Sequence, residues 1–118
     1  MASRLLEAGY DVVGFDPARQ GAEGVVTRWA ESFDQVAAED VILMSLPDKS
    51  VVEAVLWGTS ERGGLMSQLR SGQVIVDMTT SAPATSKKAA TECEHQGAAF
   101  LDVGISGGAK GAEAGKLT

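Results

Sequence analysis

Short apolar runs alternate along this chain with segments whose apolar positions recur every three or four residues, and that alternation predicts strands interleaved with helices. Met1, Leu5 and Leu6 fall at helical spacing, Gly9 ends the run, and Val12, Val13 and Phe15 form a strand closing on Asp16. "PARQGAEG" reads as a turn with one helical turn, leading to an apolar piece from Val25 to Trp29. Behind Ser32 as cap, Phe33, Val36 and Ala37 mark a short amphipathic helix. Val41 to Pro47 is near-continuously apolar, the pattern of a parallel strand covered on both faces.

The next segment predicts a helix with Asp48 or Ser50 as cap, a Ser50/Glu53 capping box and a stop at Gly58. A mostly polar bridge follows, with Leu65, Met66 and Leu69 packing down, and then a buried strand from Gln73 to Asp77. Ser81 and Pro83 stand at helix-entry positions and Gly97 at the exit, with Ala89, Ala90 and Cys93 on one face. "AAFLDV" gives a last strand to Val103, before the glycine-rich "GISGGAKGAEAGKLT". The expected fold class is α/β, a doubly wound parallel sheet with helices on both faces. Its ligands would sit beyond the carboxyl ends of the strands, at Asp16, Leu46 to Asp48, Thr79 to Ser81 and from Gly104 onward. The opening helix-to-strand pair is the back half of a βαβ unit, so a first strand and its turn are expected upstream.

Composition narrows the function. At 118 residues there is room for one small domain, here residues 1–118, and the 44% apolar content is ordinary for a folded protein. A net charge of −6 with no Lys/Arg stripe argues against nucleic acid as a partner, and no apolar run is long enough for a bilayer. The single Cys93 can form no internal disulfide, and Glu7 and Asp11 interrupt any secretory signal. Cytoplasm is the expected compartment, with an organelle address on a longer precursor left open.

Each candidate for chemistry has a plainer counterpart. Asp16 can accept hydrogen bonds from a ribose diol, or be a solvated turn aspartate before Pro17. Pro47 in "SLPD" holds the strand tip open, and Thr79, Thr80 and Ser81 can bind a ligand or cap the following helix. Around Ser106, Gly107 and Gly108 the backbone N–H groups can approach an anion closely, or the segment can be a flexible tail. A P-loop fails on spacing, since Lys110 stands where its first glycine belongs and Leu117 where Ser or Thr must be. His95 has no partner at metal spacing, Cys93 reads as a packed thiol, and Ser45 stands where a receiver-like strand would need aspartate.

In this order, "AGYDVVGFD", "LPD", "VDMTTSAP" and "DVGISGGAKGAEAGKLT" resemble the β-hydroxyacid dehydrogenases. That group includes 3-hydroxyisobutyrate dehydrogenase, tartronate semialdehyde reductase and the cofactor domain of 6-phosphogluconate dehydrogenase. The resemblance runs the whole chain and implies a Rossmann-type sheet, NAD or NADP as cofactor, and reversible hydride transfer at the hydroxyl-bearing carbon of a small 3-hydroxy acid. It places Asp16 at the adenosine ribose, Leu46, Pro47 and the Val51 backbone along the cofactor groove, and Thr80 near the nicotinamide. It places Ser106, Gly107 and Gly108 at the substrate carboxylate, and leaves homo-oligomerisation open.

There are departures. No G-x-G-x-x-G turn occurs, Gly104 stands where the family usually has proline, and Lys110 and Lys116 do not match the family's general acid/base lysine on a later helix. Asp16 favours NAD, and Arg19 could soften that preference. In the strand order 3-2-1-4-5-6 the unmatched first strand is the central one, so its loss splits the sheet. The expectation is a partial NAD(P)-binding domain that alone neither binds dinucleotide tightly nor turns over. The alternative is a non-catalytic nucleotide-binding or interaction module completed by a partner strand or a second copy.

Overall fold

The structure, a computed structural model, describes residues 1–18 and 24–118. Its elements are α1 (Ala2–Glu7), β1 (Val13–Gly14), β2 (Arg28–Trp29), α2 (Phe33–Ala37), β3 (Val41–Met44), α3 (Lys49–Trp57), a 3-10 turn (Leu65–Ser67), β4 (Val74–Asp77), α4 (Pro83–His95), β5 (Ala99–Asp102) and α5 (Gly108–Ala114). They fall into two compact units, Met1–Val36 with Ile105–Thr118, and Ala37–Gly104. The strands form a parallel pair, β1-β2, and a parallel three-stranded sheet, β3-β4-β5. Arg19, and the helical turn expected around it, lie outside the described residues.

In the first unit the strands are shorter than the apolar pattern suggests, and polar contacts do much of the joining. Val12 N donates to Thr27 Oγ1 (3.0 Å), which sets β1 against β2. Phe15 meets Phe33 edge-to-face at 5.9 Å, the preferred geometry for an aromatic pair. The Arg4 side chain binds Glu7 on its own helix (2.7 Å) and donates to the Glu113 carbonyl in α5 (2.9 Å from Nε). Ser106 and Thr118 exchange backbone hydrogen bonds (2.6 and 3.0 Å) around α5. The glycine-rich end is therefore a short helix with its flanks tied together.

The second unit holds a more regular core. Its buried apolar residues include Ile42, Met44, Val52, Leu56, Leu65, Ile75, Ala89 and Cys93. Helix α4 buries Thr85, Ala89 and Cys93, an i, i+4, i+8 stripe; Ala90, expected on that face, is exposed. Gln73, one residue before β4, is buried and knots the sheet's start: its Nε2 donates to the Ala37 and Glu39 carbonyls (2.9 and 2.7 Å), and its Oε1 accepts from Arg70 N (2.6 Å). The amide thus meets its needs inside the core.

One face of β3-β4-β5 is open, contrary to the expectation of cover on both sides. Burial alternates strictly along β3, with Val41 and Leu43 exposed, and Leu101 on β5 is 49% exposed. The reason is topological. The strand order β3-β4-β5 never reverses, and two right-handed crossovers running in one direction put α3 and α4 on the same face.

The end of α3 depends on Gly58, at φ 91° and ψ −174°, a conformation essentially confined to glycine. A Cβ there would lie 2.5 Å from the Arg62 carbonyl oxygen and 2.7 Å from Gly64 N. Gly58→Ala should therefore lower stability by about 2–4 kcal/mol in urea denaturation, whereas Gly72→Ala, with positive φ but open space, should cost about 1 kcal/mol. Equal losses at the two positions would contradict this packing.

Candidate functional site

Parallel pairing in register, Met44 with Asp77 and Asp77 with Asp102, brings the carboxyl ends of β3, β4 and β5 to one edge of the second unit. The ladder runs one step further, with Met78 N donating to Met44 O (2.9 Å) and Val103 N to Asp77 O (2.8 Å). Beyond it the chain turns into α3 and α4. Pro47 and Thr80, at the tips of adjacent strands, are exposed, while Leu46 is half-buried.

Asp48 caps α3. Its Oδ1 accepts from Ser50 N (2.8 Å), Ser50 Oγ (2.6 Å) and Val51 N (3.1 Å). The Ser50/Glu53 capping box is not formed, because Ser50 turns back to Asp48 and Glu53 instead accepts from Thr85 (3.0 Å) and pairs with Lys49 (3.3 Å). Nor does Ser81 cap α4, which starts on Pro83 with Ala82 as its cap residue. Ser81 Oγ donates to the buried Asp77 carboxylate (2.7 Å), and Thr79 N donates to the other oxygen of that group (2.9 Å).

Asp16 is exposed just past β1, and its Oδ1 accepts from Ala18 N (2.8 Å) in a local turn. Gly107 (φ 120°) precedes α5, Gly108 (φ 56°) opens it, and Ser106 is exposed. Of the expected site residues, Asp16, Ser106, Gly107 and Gly108 belong to the first unit, and Leu46, Pro47, Val51 and Thr80 to the second.

A family profile, the NAD binding domain of 6-phosphogluconate dehydrogenase, matches residues 1–118. The chain belongs to this family. It is 38% identical over 122 residues to 2-(hydroxymethyl)glutarate dehydrogenase of Eubacterium barkeri, covering 100% of this chain and 40% of the relative. Among solved structures, Psf3 in complex with NADP+ and 2-OPP is 28% identical with a TM-score of 0.84, over 98% of this chain and 42% of its own. Mycobacterium tuberculosis 3-hydroxyisobutyrate dehydrogenase with L-serine is 29% identical with a TM-score of 0.77, over 98% of this chain and 39% of its own. The chain thus spans about 40% of the length of the curated relatives it matches.

The second unit contains features that the sequence pattern did not disclose. Asp77 and Thr79 read as a strand end and a loop hydroxyl, yet both are buried and hydrogen-bonded. A separate groove between α3 and α4, about 570 Å³, is lined by Lys49, Glu53, Trp57, Thr85 and Lys88. Trp57 Nε1 donates to Glu92 (2.7 Å), and Lys88 Nζ lies 4.0 Å above the Trp57 ring. Among the described residues, no cluster suits a metal ion and no helix is long and apolar enough to cross a membrane.

Two titrations test these placements. Hydrogen bonds from the Ser50 side chain and the Val51 and Ser50 amides hold the Asp48 carboxyl below its ordinary 3.8. The sign follows: its contribution to stability is complete above 3.8 and disappears as pH falls through the lower folded value. A carbon-detected NMR titration should show Asp48 titrating below 3.8, and a midpoint at or above that value would contradict the cap. Burial, with the Glu92 charge adding to it, pushes the Cys93 thiol above 9.0. In the folded chain Cys93 should resist iodoacetamide at pH about 8 and react on unfolding; rapid alkylation of the native chain would contradict its packing.

Proposed function

We propose that this chain supplies the dinucleotide-binding part of an NAD-dependent dehydrogenase acting at the hydroxyl-bearing carbon of a small 3-hydroxy acid. The observation that carries the reading is the family match over residues 1–118. The exposed Pro47 and Thr80 at adjacent strand tips fit a dinucleotide lying across them. When bound, the nicotinamide supplies the hydride acceptor and donor.

The chain's own residues bind and orient. Leu46, Pro47 and Val51 line the cofactor groove, and Thr80 lies toward the nicotinamide. The Asp16 carboxylate accepts from the adenosine ribose hydroxyls. Ser106 offers a hydroxyl, and Gly107 and Gly108 close backbone approach, to the substrate carboxylate. A carboxylate about 4 Å from a 2′-phosphate costs up to about 4 kcal/mol at an effective dielectric near 20, and an exposed Asp16 less, so NAD is preferred to NADP. The single cysteine, Cys93, supports a reducing, cytoplasmic setting.

Nicotinamide fluorescence titration of the chain tests this reading. NADH should bind about tenfold more tightly than NADPH, and Asp16→Ser should remove most of that preference. Tighter binding of NADPH would overturn the assignment of NAD, and binding of neither would overturn the dinucleotide reading.

A further inference from the structure

Asp77 stands out because its surroundings call for an apolar residue. It ends a strand otherwise made of Val74, Ile75 and Val76, and it is 0% exposed. A carboxylate taken out of water is retained only where hydrogen bonds compensate for the lost hydration. Both of its oxygens are engaged on the segment that follows: Oδ1 accepts from Thr79 N (2.9 Å) and Oδ2 from Ser81 Oγ (2.7 Å). Thr79, itself 7% exposed, then reaches across to the neighbouring strand, where its Oγ1 accepts from Leu46 N (3.0 Å).

These bonds form one chain. The Asp77 carboxylate fixes the Thr79 backbone, Thr79 fixes the Leu46 amide, and Leu46 precedes Pro47, whose ring restricts the turn into α3. The Thr79–Leu46 bond thus acts as a side-chain rung beyond the last backbone rung, Met78 N to Met44 O. We propose that Asp77 is the positioning residue of the dinucleotide site, holding Thr79 so that Thr79 sets the Leu46–Pro47 turn against the Thr80 tip. This rests on the dinucleotide reading above and adds to it the group that shapes the groove without touching the cofactor.

Amide hydrogen exchange of the chain by NMR, paired with NADH titration, tests the proposal. In Asp77→Ala the Leu46 amide should exchange at least about tenfold faster and NADH should bind at least about tenfold more weakly. Val74 and Ala99, whose amides bond at the opposite end of the sheet, should stay within about twofold. Asp77→Asn should restore both readouts, because its amide oxygen can accept from Thr79 N while its NH2 donates to Ser81 Oγ. Thr79→Val removes only the acceptor for Leu46 and carries the same test should Asp77→Ala fail to fold. Unchanged Leu46 exchange in a folded variant overturns the proposal, as does equal acceleration at Leu46, Val74 and Ala99 in Thr79→Val, the mark of a merely structural role. Selective acceleration at Leu46 without binding of NADH or NADPH by the parent chain supports the positioning of the turn and overturns the dinucleotide reading.

Discussion

Parallel pairing of β3, β4 and β5 in fixed register is the constraint from which the second unit follows. It sends every connection back across one face, so α3 and α4 lie side by side there and the opposite face stays apolar and open. It also leaves all three carboxyl ends at one edge, where the ladder has run out and the backbone must find other partners. Asp48, Thr79 and Asp77 are those partners, each placed where a strand gives way to a turn. The groups that complete the fold at this edge are therefore the ones that shape the candidate site.

The two units meet the same need for backbone partners by different means. Around β3-β4-β5, buried Gln73 closes the start of the sheet and buried Asp77 its end, so polar side chains bracket an apolar layer. In the first unit the strands span only two residues each, and the joining passes to Thr27, to Arg4 on the Glu113 carbonyl, and to the Ser106–Thr118 pair. With more of its hydrogen bonds near solvent, the first unit should open at lower free energy than the sheet of the second.

The order of elements was legible because each apolar run is short and each helix has a stop: Gly9, Gly58 and Gly97 all follow helices at positive φ. Cys93 was legible as a packed thiol from its spacing to Ala89. Three features were not. Ser50 has the spacing of a capping box with Glu53, but which hydroxyl meets which acceptor depends on Thr85, on a different helix. The open sheet face was hidden because Val41 and Leu43 are as apolar as Ile42 and Met44, and only strand order decides which pair is covered. Asp77 read as a strand terminus because its partners, Thr79 and Ser81, resemble ordinary helix-entry residues in sequence.

The central claim is that the strand tips, and not the helix groove, receive a dinucleotide. Nitrogen-15 chemical-shift mapping of the chain during addition of NADH tests it most directly. The account predicts that the amides of Leu46, Thr79, Thr80 and Ser81 shift together, along one saturable binding curve. Shifts confined to Lys49, Trp57 and Lys88, or no shifts at any concentration, would contradict it.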